Sequence, residues 1–487
     1  MNDNNKTLAT PWYREMTAYH WIVFVICSLG WAFDCMGQHL FTGTRTMALA
    51  ELLQLESTSD QTLNYAALAT SLMMIGWATG GIIFGVIGDK FGRAKTMFYT
   101  ILIYSLLTGI NAFSVTLWDF LLVRFLCGVG IGGQFAIGAS LLAESVPEKA
   151  RPHVSGLMQV ISGFANVGSA LVIMGFTQLG AMDMLPMTSW RCIFVFGSLP
   201  AILSYFVWKY LKEPETWQAS IKEGRQKVGS VRELFTEPTL RKHVVLGMIM
   251  AATGVIGTWG IGLFSMELSG KVFQKIATES PEYRQVIQEV LAKHGLAPDA
   301  EKDASPEIQA EIKESTKKIV NDIVGWWRGC NLLLFNIGAM AGMYGITLGA
   351  IYWGRRVTFT LFKTGCIIST AATFLFLNDA KTLFLLVPPM GFFLMSMFGG
   401  YTVYFPELFP TRLRSTGVSF CYNVGRYIAA FGPLMYSGLT LAFAGFATQT
   451  DATLPARYAG VAMCSVFIIG IAAVWLLPET KGKPLPE

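Results

Sequence analysis

The chain reads as an all-α membrane protein in which twelve transmembrane helices form two pseudo-symmetric halves of six. Three observations predict this. The composition is 53% hydrophobic and 14% charged over 487 residues, with a mean hydropathy of +0.46, too apolar for a soluble chain of several domains. Apolar runs of about 20 residues, enough to cross roughly 30 Å of hydrocarbon, recur along the whole length. Polar landmarks of the first half also return in the second: Glu144, Pro147 and Arg151 are spaced as Glu407, Pro410 and Arg414, and Gly92-Arg93 returns as Gly354-Arg355. Parallel repeats of this size in an apolar chain mark a duplicated membrane bundle.

The elements follow in order. Residues 1–16 are polar, and the apolar run at about 20–40 carries no small-residue cleavage site, so it reads as helix 1 and not as a signal peptide. Further runs begin near Tyr65, Thr96, Phe120, Val154, Trp190, Val244, Cys330, Val357, Leu383, Ser415 and Tyr458. Lysine and arginine cluster in alternate connections: Lys90, Arg93 and Lys95; Lys149 and Arg151; 209–242; Arg355 and Arg356; Arg412 and Arg414; Lys481 and Lys483. The positive-inside rule therefore puts both ends in the cytoplasm, across a cell inner or plasma membrane. The domain plan is an N-terminal half at 1–211, a cytoplasmic linker at 212–242, and a C-terminal half at 243–487 with an extracytoplasmic insertion at 267–327. Ser-Pro-Glu at 280–282 and 305–307 marks helix starts in that insertion. A further landmark, Pro-Glu-Thr at 214–216, returns at 478–480.

Several function classes are excluded. The net charge of +5 is spread over short clusters and not along one basic face, so no nucleic-acid partner is expected. The eight cysteines lack C-x-x-C spacing, which argues against a disulfide framework or a zinc site. Gly-Val-Gly-Ile-Gly-Gly at 128–133 fits G-x-G-x-x-G but sits inside an apolar helix, where small residues serve close packing and not dinucleotide binding. No Walker, G-x-S-x-G or H-E-x-x-H sequence is present, and neither a cofactor nor a metal is expected.

Between predicted helices 2 and 3, "GVIGDKFGRAK" at 85–95 resembles the signature loop of the major facilitator superfamily. The two Glu-x-x-Pro-x-x-x-Arg sequences and the closing "PETKG" are similar to those of its sugar porters, and the resemblance covers nearly the whole chain outside the insertion. It implies a secondary active transporter, a monomer in the lipid bilayer working by alternating access on a small molecule. It also assigns Asp89, Gly92, Arg93, Glu144, Arg151, Glu407 and Arg414 to a cytoplasmic gate, where carboxylates meet helix N-termini and guanidinium groups. Ile351 stands where the second half would repeat Asp89, so that latch is expected to be weak or absent.

A charge at mid-membrane costs about 2.5 to 3.5 kcal/mol on insertion scales and is kept mainly for function. The polar residues at such depth are Asp34, Arg124, Gln159, Asn331, Asn336, Asn423 and Arg426. Asp34, after "GWAF", and Arg124 resemble the coupling pair of proton-coupled sugar porters, whose joining and parting switches the proton affinity of the acid. Gln159 matches a sugar-binding glutamine, yet predicted helix 7 lacks the amides that hold sugar hydroxyls. Arg426, seven residues before Pro433, resembles the arginine that faces the anion in aromatic acid:proton symporters and organic anion transporters. A guanidinium reads a carboxylate through two parallel bonds. Gly37 takes the second acidic position of the D-x-x-D those symporters carry.

The expectation is proton-coupled symport of a small organic anion. Asp34 and Arg124 couple; Arg426, Gln159, Asn423, Asn331, Asn336 and Tyr401 bind. Trp31, Phe33, Trp259, Tyr404 and Tyr427 offer aromatic surface, whereas Gln38, His39 and Arg45 read as interfacial. The alternatives are a sugar or polyol porter and a nutrient receptor that keeps the fold without transporting.

Overall fold

The computed structural model describes residues 11–55, 60–224, 228–297, 304–429, 432–446 and 453–486. Every regular element among them is helical. Helices α1 (Ala18–Leu53), α2 (Asp60–Phe91), α3 (Arg93–Ile110), α4 (Leu117–Ser145) and α5 (Arg151–Ala181) are the first five spans, and α6 (Ser189–Phe196) with α7 (Ala201–Tyr210) makes the sixth. Short α8 (Glu215–Gly224) and α9 (Val231–Thr236) follow in the connection. The seventh span joins α10 (Pro238–Val255), a π-helical turn at Ile256–Gly262 and α11 (Leu263–Thr278). The insertion holds α12 (Pro281–Lys293) and the first turns of α13 (Pro306–Trp353), which runs on unbroken as the eighth span. The rest are α14 (Arg355–Phe376), α15 (Ala380–Tyr404), α16 (Arg414–Ala429), α17 (Gly432–Ala442), α18 (Leu454–Met463) and α19 (Val466–Leu476). Eleven helical spans among the described residues are long and apolar enough to cross a membrane. The span predicted from Ser415 is α16 plus α17, on either side of residues 430–431, which lie outside the described residues.

Local signals set the helix starts. Thr17 and Thr116 cap α1 and α4 through reciprocal bonds with His20 and Asp119, which satisfies donors that the first turn leaves free. The two Ser-Pro-Glu sequences behave as read: Ser280 and Ser305 cap α12 and α13, each with proline in the first turn. The hairpin has a small core of Ile287, Val290, Leu291, Ala304 and Ile312. Glycines set the closest helix approaches. A Cβ on Gly132 of α4 would lie 2.0 Å from the Trp77 carbonyl oxygen of α2, and one on Gly342 of α13 would lie 1.8 Å from that of Phe392 on α15. The segment at 128–133 is thus a packing surface, and the second half repeats it.

The duplication also shows in the turns. Gly92 (φ 115°) and Gly354 (φ 84°) join α2 to α3 and α13 to α14, in the left-handed region that glycine tolerates. Below each lies a carboxylate. Glu479 accepts from the backbone N–H of Arg355 and Arg356, both at 3.0 Å. Its counterpart is Glu213, which accepts from Arg93, Ala94 and Lys95 at 2.7, 3.2 and 3.1 Å. The Pro-Glu-Thr match had set Glu215 opposite Glu479, but Glu215 is exposed. What is duplicated is a carboxylate under a helix N-terminus, two residues out of register with the tripeptide.

Candidate gate and substrate cavity

One face of the bundle, which carries residues 11–17 and 477–486 and is called the termini side below, is closed by a buried charge network. Asp89, at the end of α2, accepts from the Ser415 N–H at 3.1 Å, the Thr416 N–H at 2.8 Å and the Thr416 hydroxyl at 2.5 Å. These are free donors of the first turn of α16, where a negative charge is favoured. Asp89 also pairs with Arg93 Nη2 at 2.8 Å, Arg93 Nε reaches Glu144 at 3.2 Å, and Glu144 is held by Arg414 Nη1 at 2.8 Å. All four side chains are fully buried. Two carboxylates and two guanidiniums balance, and the network joins the first half to the second.

The second half does not reciprocate. Glu407 pairs with Arg355 of its own half at 2.5 and 3.0 Å and accepts from the Thr480 hydroxyl at 2.6 Å. Arg151 donates to the Ala143 carbonyl at 2.8 Å, as Arg414 does to that of Pro406 at 3.1 Å. Among the described residues Arg151 makes no ion pair.

Above this closure lies a cavity of about 120 Å³. Two of its lining residues, Trp31 and Tyr422, meet on Phe135: Tyr422 stacks on it across the halves with ring centroids 3.8 Å apart, and Trp31 leans on it at 4.9 Å. The walls are aromatic (Trp31, Trp77, Trp259, Phe335, Phe398, Tyr422) with a few polar groups (Gln38, His39, Gln159, Ser162, Asn166, Asn336) and Arg426. The π-helical turn contributes Thr258, Trp259 and Gly262, so helix 7, which lacks the amides that hold sugar hydroxyls, gives the cavity a mainly apolar wall; such turns gather at functional sites. The Arg426 guanidinium lies 3.7 Å from the Trp77 ring centroid and 4.2 Å from that of Tyr422. Its Nη1 donates to the Asn423 side-chain oxygen, and Asn423 is itself anchored to the Ser419 carbonyl at 3.0 Å.

The structure sorts the residues read from the sequence. Arg426, Gln159 and Asn336 line the cavity; Gln159 accepts from Trp31 Nε1 at 3.0 Å and Asn336 donates to the Leu332 carbonyl at 2.8 Å. Gln38 and His39, read as interfacial, line it too. Asn423 stands behind Arg426. Asn331 is buried, and its amide finds no partner among the described residues. Tyr401 is not in the wall: its hydroxyl donates to the Met250 carbonyl at 2.7 Å and its ring stacks on Phe405. Tyr404 bonds the Pro478 carbonyl, Tyr427 meets Thr79 and Phe33 lies in an outward apolar groove.

Asp34 and Arg124 make no ion pair in this structure, which is closed on the termini side. Arg124 is packed over Phe194 and Phe41 at 4.2 and 4.7 Å. With the Asn111 amide turned to satisfy its neighbours, its oxygen accepts from Arg124 Nη2 at 2.9 Å. Aromatic faces and a neutral amide hold that guanidinium, leaving no geometric need for a carboxylate. Asp34 is fully buried, neither oxygen has a hydrogen-bond partner among the described residues, and its electrostatic neighbours are the Tyr104 hydroxyl and Arg426. The next residue, Cys35, lines the cavity.

Two buried cations escaped the sequence reading. Arg457 caps the end of α14 through the Phe374 and Leu377 carbonyls. Lys363 donates to the Thr253 hydroxyl at 2.8 Å beside Phe467. Lys363 was visible as a lysine inside the apolar run that begins near Val357.

Comparison with known proteins agrees with this architecture. A protein of Haemophilus influenzae named as a metabolite transporter is 27% identical over 473 residues, covering 97% of this chain and 99% of its own. The niacin transporter NiaP of Acinetobacter baylyi is 24% identical, covering 96% of each. The solved structure of the proton:xylose symporter XylE of E. coli superposes with a TM-score of 0.68 at 14% identity, over 96% of this chain and 98% of that one. The family model of the Major Facilitator Superfamily matches residues 17–276, which carry Asp89, Glu144 and more than half of the cavity-lining residues. On that match and this fold, the chain is a transporter of the Major Facilitator Superfamily.

Proposed function

We propose that this transporter moves a small organic carboxylate together with a proton, with the termini side facing the cytoplasm. The observation that carries the reading is Arg426: it is the one arginine or lysine among the described cavity residues, and no carboxylate lies within ion-pair distance of it. A planar guanidinium between Trp77 and Tyr422 favours a flat anion, with one end read by paired hydrogen bonds and an apolar body against the rings. At about 120 Å³ the cavity is of the same order as the roughly 150 Å³ that accepts benzene, which limits the ligand to a small, flat molecule. The niacin transporter among the relatives handles an acid of this size.

Charge balance then gives Asp34 a role. With the site empty, Arg426 and an ionised Asp34 sum to zero. With an anion bound, the sum stays at zero only if Asp34 takes a proton. Keeping the moving site neutral avoids the cost of carrying net charge through hydrocarbon, so substrate and proton travel together. On this reading the coupling rests on Asp34 with Arg426, and Arg124 packs its own half.

The test is binding by purified protein and transport in proteoliposomes. Arg426→Lys keeps the charge but loses the fork, and carboxylate affinity is expected to fall by at least tenfold. Asp34→Asn is expected to retain counterflow and lose accumulation driven by a pH gradient. Carboxylate binding unchanged in Arg426→Ala would favour a sugar or polyol, the reading supported by the amides of Gln159 and Asn336 in the cavity wall. Absence of any flux with binding intact would favour a receptor.

A further inference from the structure

The two halves meet on the termini side at a second place, where α5 touches α13. We propose that Trp12, His153 and Tyr344 form a separate, uncharged gate there, closed by a hydrogen bond and backed by the N-terminal segment. His153 Nδ1 lies 3.0 Å from the Tyr344 hydroxyl, a contact between the first half and the second. On its other side the imidazole is stacked on Trp12, with centroids 4.9 Å apart and planes 10° from parallel. Trp12 belongs to the 3-10 turn Trp12–Arg14, which is tethered by Glu15 to Lys149 at 2.8 Å and by Tyr19 to the Lys212 backbone. The helices are close beside this point, since a Cβ on Gly156 would lie 2.3 Å from the Thr347 hydroxyl.

The repeat explains the place. Arg151 corresponds to Arg414, so Pro152 and His153 correspond to Ser415 and Thr416, the residues that hold Asp89 in the other gate. Proline has no N–H. An aspartate at 351 would therefore meet one backbone donor fewer than Asp89 does, and the chain has isoleucine there. His153 fills the position of Thr416 and bonds a tyrosine two turns further into α13. The inference rests on the family's alternating access and not on the proposed substrate.

Cys35 lines the cavity, and a protein keeping it as the sole cysteine reports from which side the cavity opens. A membrane-impermeant maleimide is applied to each side in turn. Tyr344→Phe removes one hydroxyl, and a hydrogen bond of ordinary net strength corresponds to about a 2- to 10-fold shift in a two-state equilibrium. Labelling from the termini side is expected to rise by that factor, and labelling from the insertion side to fall. Trp12→Ala should act in the same direction, and His153→Leu with Tyr344→Phe should do no more than either alone. Unchanged rates in Tyr344→Phe overturn the proposal, as does an equal rise on both sides, which would mean general loosening. If the single-cysteine protein does not fold, hydrogen exchange of the unaltered-cysteine protein decides. Tyr344→Phe is then expected to speed exchange in the first turn of α5, and no change there refutes the gate.

Discussion

The contact of α2 with α16 and the contact of α13 with α5 occupy equivalent places in the two halves and are built from different chemistry. In the first, Asp89, Arg93, Glu144 and Arg414 form a buried network of four charges across the interface. In the second, the corresponding charges stay within one half, as Arg355 with Glu407, and the crossing is left to His153 and Tyr344. Within each half the skeleton is preserved: a left-handed glycine, a capping glutamate, and an arginine donating to the carbonyl five residues back, at 3.0 Å in one half and 3.1 Å in the other. The interface tolerated divergence because a transporter needs its closed state only as stable as its open one, whereas a helix turn must form in both.

The largest effect that separates the two contacts should come from Glu144→Gln. It leaves Arg93 and Arg414 buried beside a neutral amide, and breaking a buried ion pair costs about 3 to 5 kcal/mol. Chemical unfolding should show a loss of that order together with labelling of the cavity from the termini side. Glu407→Gln should destabilise without changing the side of access; equal access in the two variants would erase the distinction.

Restoring the missing acid gives a smaller effect and sharpens the reason for its absence. Ile351→Asp alone is expected to gain less than the double variant with Pro152→Ser, since Pro152 offers no donor and only the His153 N–H is left. Ile351→Asp with Pro152→Ser restores both backbone donors equivalent to those of Ser415 and Thr416 and should recover about 0.3 to 1 kcal/mol, the usual value of a carboxylate at a helix N-terminus. An equal gain from Ile351→Asp alone, read in a melting curve, would show that the proline is not what keeps the acid out.

The smallest effect concerns what the halves share. Partial burial works to raise the Glu479 carboxyl, but the N–H groups of Arg355, Arg356, Lys481 and Thr480 outweigh it and leave it below the usual value. A carboxyl lowered on folding contributes stability that is full above its unfolded value, about 4.3, and is lost as pH falls through the lower folded value. Protection of the first turn of α14, measured as exchange relative to the intrinsic rate at each pH, should therefore fall with acidification below about pH 4, and Glu479→Gln should remove that dependence.

Much of this was legible in the sequence, for stated reasons. Span length, charged connections and the 263-residue recurrence of Glu144 at Glu407 are one-dimensional, and so were the helix starts at Ser280 and Ser305. The cavity was half legible. Arg426 could be picked out because a buried cation is rare, but its cradle could not, since Trp77 lies on another helix and Tyr422, one turn before Arg426, looks like ordinary packing. Asp34 and Arg124 were paired by their resemblance to a coupling pair; the sequence does not say which way a helix turns its arginine, and in this structure Arg124 faces Phe41, Phe120 and Phe194.

The unbroken α13 has a mechanical consequence. Its 48 residues make a rod of about 72 Å at 1.5 Å per residue, and the apolar stretch able to span lies after residue 322, since 306–322 carry seven charged side chains. The 17 residues before it, 306–322, stiffened by the packed hairpin of α12, project roughly 25 Å past the hydrocarbon. A rigid pointer of that length converts a 10° tilt within the bilayer into a displacement of roughly 4 Å at its tip. Glu311, bonded to Lys293 and His294 at 2.7 and 2.8 Å, sits near that tip, so the insertion magnifies the motion of the eighth span outside the membrane, where a spectroscopic distance can follow it.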